Sequence, residues 1–338
     1  MGLDRRRFLR QTAGAAIAAG TMAVARGSAH AAQPDHLPPK PAVDPIVDTH
    51  QHLWDLSKFR LPWLKDDQQL RRTFTPADYL EATRGLNVVK AVYMEVAVDP
   101  SQQLAEAEHV IELCRRQGSP TVAAVIGGRP AADDFRPYIT RFKGNPYVKG
   151  VRQLIDDPGQ FLDEKYVQGI RLLGELGMSF DLCLPPTRLR AAAELVDRCP
   201  QTRFILDHCG NADPMAFRPA GKTPTDGPAR PPEHDAGQWR QDISRLAERK
   251  HVVCKISGIV ARAAKGSWTA EDLAPIINHC LGAFGPDRVV FGSDWPVCTR
   301  VASLRQWVEA LQEIIQGRSE TERRKLLHDN ALRFYGLA

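Results

Sequence analysis

Eight short apolar runs, each rich in Val, Ile, Leu or Phe, recur along the chain at Ile46–Thr49, Val88–Val96, Val122–Ile126, Val148–Leu154, Met178–Leu184, Arg203–Leu206, Val252–Ile256 and Val289–Gly292. Their hydrophobicity is continuous rather than alternating, which suits strands of a parallel sheet covered on both faces. Helical patterns separate them. Thr75-Pro76 sets a capping hydroxyl before a proline at the first helical position, and Leu104 to Arg116 carries apolar residues at helical spacing. Further helices are expected from about Thr187 to Cys199, Thr269 to Phe284 and Leu304 to Ile315, and Ser319-Glu-Thr-Glu322 has the form of a capping box. Eight strands alternating with helices in about 300 residues predict a (β/α)8 TIM barrel as a single α/β domain over residues 46–338, with an open doubly wound sheet as the alternative.

The first residues stand apart from this pattern. DRRRFLRQ followed by AGAAIAAGTMAVA is a charged segment and then a weakly apolar one, and Arg5-Arg6 with Phe8-Leu9 resembles a twin-arginine signal peptide over residues 1–31. The Ala/Gly stretch is too short and too mild for a stable membrane span, and Ala29-His30-Ala31 offers a small-residue cleavage site. A proline-rich linker is expected at 32–45. Removal of residues 1–31 takes away five arginines and Asp4, so 45 basic and 40 acidic residues become 40 and 39 and the formal charge falls from +5 to +1. A nearly neutral chain without a cationic, aromatic-studded patch gives no reason to expect nucleic acid or an anionic membrane as partner. A small-molecule substrate is the expected partner, and oligomeric state is not legible. Seven cysteines without a CxxC pair read as buried small hydrophobes. That fits a chain folded in the cytosol and exported folded to the periplasm or beyond.

After the sixth run, residues 209–238 hold many glycines and prolines and no periodicity, so a long loop is expected at the strand's C-terminal end. In a barrel that end is the active-site face, where such a loop serves as a lid or is otherwise a surface insertion.

Catalytic groups of a parallel barrel sit where the strands end. Here those positions carry His50 and His52, Glu95, Arg152, Asp181, Asp207 with His208, Lys255, and Asp294. Charges inside apolar runs must be paired or belong to a site, since an isolated buried charge is very costly. Arg152 would bind a carboxylate or hydroxyl of the substrate with its two-pronged guanidinium, or pair with Glu95 or Asp181. Lys255 would bind a developing oxyanion or make a structural ion pair. Trp54 and Trp295 would wall the pocket or lie in the core. Ser293 lacks a G-x-S-x-G elbow, and no G-x-G-x-x-G or P-loop follows a strand, so serine nucleophiles and nucleotide cofactors are not expected.

VDTHQHLWD, LDHCGN, CKISG and FGSDWPV together resemble the amidohydrolase superfamily, in its amidohydrolase-related branch of sugar-lactonases and 2-pyrone-4,6-dicarboxylate lactonase. The resemblance implies a barrel hydrolase opening a small lactone of a sugar acid or an aromatic-degradation product, with Asp294 as general base and His50, His52 and His208 as metal ligands or donors to the carbonyl. Arg152 and Asp181 stand where the binuclear pattern wants a lysine and a histidine, so a binuclear centre is not expected. One zinc on His50, His52 and Asp294, with His208 as a further candidate, or no metal at all, are both compatible with these residues. A zinc-dependent decarboxylase of the same superfamily and a non-catalytic binding barrel are the competing readings. The first lacks its strand-5 histidine, and the second does not explain why all four site residues persist.

Overall fold

The computed structural model describes residues 44–154, 160–218 and 231–337. The proposed signal segment and nearly all of the linker lie outside them. Eight parallel strands form one sheet in sequential order: β1 (Ile46–Gln51), β2 (Val88–Met94), β3 (Thr121–Gly127), β4 (Val148–Arg152), β5 (Ser179–Leu182), β6 (Arg203–Leu206), β7 (Val252–Ile256) and β8 (Val289–Phe291). Strand β8 is too short to pair fully with β1, and closure is completed by the residues beyond it. Gln51 bridges Trp295 in parallel, Trp295 O accepts from His52 N at 2.8 Å, and His50 O accepts from Asp294 N at 2.9 Å. Closure therefore ties the two ends that carry the site's histidines and its aspartate.

A helix follows each strand: α1 (Pro76–Ala82), α2 (Gln103–Arg115), α3 (Phe135–Thr140), α4 (Glu164–Glu175), α5 (Leu189–Arg198), α6 (Ala236–Ala247), α7 (Ala270–Phe284) and α8 (Leu304–Ile315). Their starts are dictated locally. Thr75 and Asp78 form a reciprocal capping box ahead of Pro76, and Thr269, Ser303 and Ser319 make the same arrangement. No helix among the described residues is long and apolar enough to cross a membrane.

The alternation of side chains along each strand sorts the core into two layers. Residues of one parity, such as Ile46, Phe204 and Cys254, pack between sheet and helices, while Val47, Val92, Ile205, Val253 and Val290 fill the barrel axis. Ala331, Tyr335 and Leu337, at the chain's C-terminal helical turns, join the axial cluster. Each fully buried Val or Ile there stabilises the fold by about 1.5–3 kcal/mol. Two residues further along the strands the axial positions become Asp207 and Lys255, so an apolar plug gives way to a charged layer just below the barrel mouth.

The expected loop at 209–238 is corrected in extent. Helix α6 begins at Ala236, where Asp235 Oδ1 accepts from Gln238 N at 2.7 Å, so the irregular segment ends at Asp235. Composition hid this start because the cap follows directly on proline and acidic residues. Asp213 ties the two ends of the segment together, accepting from Met215 N at 3.1 Å and Glu233 N at 3.0 Å. The lid reading falls mainly on residues 219–230, outside the described residues.

Candidate active site

The pairing of β1 with β2 slips between Asp48 and Gln51. At that end of the strand the imidazoles of His50 and His52 lie 4.8 Å apart, edge to face. Asp48 anchors the turn: its Oδ1 accepts from His50 N at 3.1 Å and Ser293 N at 2.7 Å, and its Oδ2 accepts from Tyr79 at 2.7 Å. Ser293 thus holds structure and is not a nucleophile. Asp294 follows in a left-handed conformation, φ +56°, which an aspartate tolerates better than most residues. Its Oδ1 lies 3.4 Å from His52 Nε2 and 3.7 Å from His50 Nε2.

Hydrogen bonds fix the tautomer of His52. Nδ1 is 3.0 Å from Met94 O, which can only accept, so Nδ1 donates there and Nε2 is turned toward Asp294. His208 lies 4.4 Å from His50, ring to ring, with Nδ1 2.9 Å from Ser257 Oγ. It sits against Gly258, at φ +67°, where a Cβ would come within 2.2 Å of the imidazole. Glycine is required there because the ring fills the space. Burial, then Lys255, hold His50 well below the ordinary imidazole range, and burial lowers His208 too. Both rings are neutral near neutral pH, with lone pairs to offer.

Beneath these groups lies a ladder of buried ions. Lys255 is fully buried, with Nζ 2.8 Å from both Asp181 Oδ2 and Asp207 Oδ1 and 3.2 Å from His50 Nδ1. Burial pushes the Asp181 carboxyl up to about 7 against the pull of Lys255. Burial also opposes ionisation of Asp207, but Lys255 and His50 overcome it and hold that carboxyl well below its ordinary range. Arg152 donates from Nε to Glu95 Oε1 at 2.6 Å and from NH2 to Glu95 O at 2.7 Å, leaving NH1 3.3 Å from His50 Nε2.

Glu106 of α2 stands behind Glu95, its Oε1 accepting from Tyr93 Oη at 2.9 Å and Val96 N at 2.8 Å. Burial, with the charge of Glu95, pushes its carboxyl from the ordinary 4.5 to about 8. A raised acid is protonated when folded and ionises when unfolded, so its stabilising contribution is complete below about pH 4.5 and is lost as pH rises to about 8. Glu106→Gln should therefore gain stability over the native chain by on the order of a few kcal/mol near pH 8 and nothing near pH 4. Denaturant unfolding across that range measures it, and a pH-independent difference would reject the buried neutral acid.

The mouth opens into a cleft of about 240 Å³ lined by His52, Arg152, His208 and Asp294 among the residues expected from sequence. Trp63, Asn211, Arg262 and Arg300 line it as well and were not legible in the sequence. Several expected positions are corrected. Lys255 lies below the cleft in its ion pairs, as do Asp181 and Asp207, and Glu95 holds Arg152 instead of lining the cavity. Trp54 and Trp295 are core: Trp54 pairs with Phe74 across a bridge, and Trp295 packs on Phe74 and Tyr79 at 5.4 Å each. The aromatic wall is instead Trp63, 37% exposed, whose Nε1 donates to Val96 O at 2.8 Å.

His50, His52 and Asp294 suit a single metal ion. Their ligand atoms lie within 4.8 Å of one another. Nε2 of His52 is already aimed by the hydrogen bond of its other nitrogen, as in metal-bound imidazoles. The buried acids Glu95, Asp181, Asp207 and Asp294 outnumber the buried cations Arg152 and Lys255 even with the Asp181 carboxyl raised to about 7, and a bound cation would offset the excess.

A parallel barrel with histidines after its first and sixth strands and an aspartate after its eighth has the layout of a barrel hydrolase. The chain belongs to the amidohydrolase family, whose sequence profile matches residues 47–337. It is 28% identical over 302 residues to an L-fucono-1,5-lactonase of Burkholderia multivorans, covering 86% of this chain and 96% of that one. An L-rhamnono-gamma-lactonase of Scheffersomyces stipitis is 23% identical over 344 residues, covering 86% of this chain and 98% of that one. The fold is shared with the zinc-bound crystal structure of an amidohydrolase from Burkholderia multivorans, at TM-score 0.73 and 24% identity, covering 87% of this chain and 100% of that one.

Proposed function

We propose that this chain hydrolyses a small lactone, of a sugar acid or a product of aromatic degradation. The observation that carries this reading is the carboxylate of Asp294, 4% exposed at the base of a small cleft, facing two imidazole nitrogens with Arg152 lining the same wall. The lactonases named among its relatives support the same class of substrate.

Asp294 takes a proton from a water whose oxygen attacks the lactone carbonyl carbon. Negative charge then gathers on the carbonyl oxygen, where Arg152 NH1, held in place by Glu95, and His208 are the available donors. Collapse of that intermediate breaks the ring carbon–oxygen bond, and the proton on Asp294 passes to the departing alkoxide. His50, His52 and Asp294 would hold a metal ion, which supplies Lewis acidity to the water or the carbonyl when bound. Trp63 offers an aromatic face to a sugar ring.

A panel of sugar-acid and aromatic-derived lactones, assayed by proton release with and without added zinc, is expected to show hydrolysis of at least one member. Metal analysis of the same preparation should find about one equivalent if zinc is part of the site. No hydrolysis in either arm, with decarboxylation of an aromatic acid instead, would reject the proposal. Export in folded form by the twin-arginine route is proposed with it; replacing Arg5 and Arg6 with lysine should retain the chain in the cytosol, and unchanged delivery would refute it.

A further inference from the structure

Three of the seven cysteines converge outside the catalytic cleft. Cys209 follows β6, Cys254 lies on β7 and Cys280 on α7, separated by 45 and 26 residues in sequence, yet their sulfurs all lie within 4.8 Å of one another. All three are fully buried between the sheet and the helix layer. Cys209 Sγ donates to Lys255 O at 3.8 Å, so its sulfur lies against the strand that carries Cys254. Three buried sulfurs, with neither an imidazole nor a carboxylate in the cluster, form a soft and low-coordinate donor set. Zinc and calcium want more ligands, or harder ones.

We propose that Cys209, Cys254 and Cys280 form a second metal site, distinct from the histidine–aspartate centre, that takes one thiophilic monovalent ion of the Cu(I) class. Thiolate sulfur selects Cu(I) over harder cations, and three-coordination needs no further ligand. Each cysteine that binds as thiolate releases one proton to solvent, and no electron is exchanged. The site is joined to the cleft by one peptide bond. His208, Cys209, Gly210 and Asn211 all have positive φ, between 52° and 67°. This turn sends His208 into the mouth and Cys209 into the sulfur cluster. Trp239 holds the turn by donating from Nε1 to Cys209 O at 3.1 Å.

The test is competition for Cu(I) between the full chain and a chromophoric Cu(I) chelator without oxygen, with X-ray absorption of the copper-loaded protein. The expected result is one tightly held equivalent in an all-sulfur, three-coordinate shell. Cys280→Ser and Cys254→Ser, checked for folding by circular dichroism, should each weaken retention by more than about 100-fold, beyond the cost of an outer-shell partner. Cys183→Ser, a cysteine on the cleft wall, and Asp294→Asn should leave retention unchanged. Nitrogen or oxygen ligands to copper, or a folded Cys280→Ser that keeps its copper, would overturn the proposal. So would a native chain that yields all its copper to the chelator. None of these outcomes depends on whether the chain proves to be a lactonase.

Discussion

Replacing Asp294 with asparagine should lower turnover by roughly 10²–10⁴-fold while leaving the fold and substrate affinity close to those of the native chain, because a general base contributes that much to such a step. Asparagine keeps the shape of the side chain and accepts the left-handed backbone at φ +56°, so the bonds that close the barrel, from Asp294 N to His50 O and His52 N to Trp295 O, are retained. What is lost is a basic oxygen 3.4 Å from His52 Nε2 and 3.7 Å from His50 Nε2. Measurement of kcat, substrate affinity and metal content on one preparation separates two roles. A fall in kcat with metal content unchanged identifies the base, whereas loss of metal together with activity makes Asp294 chiefly a ligand. Turnover within a few-fold of the native chain would sink both.

The placing of this residue could be read from sequence because a barrel puts strand ends in a ring, and a charge that ends an apolar run has few places to go. The same reasoning located His50, His52, His208 and Arg152. Strand boundaries followed the apolar runs closely at β6 and β7, whose runs end where the ladder ends. They overshot at β5, read as Met178–Leu184 and observed as Ser179–Leu182, because Leu184 is still buried after pairing has stopped. Burial and ladder pairing are different quantities, and a sequence reports mainly the first.

The aromatic wall failed for another reason. Proximity to His52 and Asp294 along the chain suggested Trp54 and Trp295, but the strand ends turn back on Phe74 and bury both indoles behind the site. Trp63 reaches the cleft from a short helical turn, Pro62–Leu64, that lies apart from every strand end. Arg262 and Arg300 likewise come from turns after β7 and β8, where neither periodicity nor strand-end position marks them.

The choice between a substrate-binding and a structural Lys255 is settled by what its removal should do. Its Nζ sits 2.8 Å from two carboxylates in a layer without solvent exposure, so Lys255→Met leaves Asp181 and Asp207 facing each other with no ammonium between them. Breaking a buried pair from one side costs about 3–5 kcal/mol, because the stranded charge keeps its desolvation penalty. For a domain of this size that is a fall of roughly 5–8 °C in Tm. The dependence on pH gives the sign. Lys255 helps hold Asp207 well below its ordinary range, so this part of native stability is complete above the unfolded carboxyl value and is lost as pH falls through the folded one. In Lys255→Met that support is gone, and one carboxyl of the pair will take up a proton on mild acidification. The gap in Tm between variant and native chain should therefore narrow from neutral pH toward about pH 5. A lysine that only gripped substrate would behave differently, raising KM while leaving Tm within the small range of surface substitutions. Thermal unfolding of the two chains at both pH values distinguishes these outcomes, and an unchanged Tm would return Lys255 to the substrate's side of the cleft.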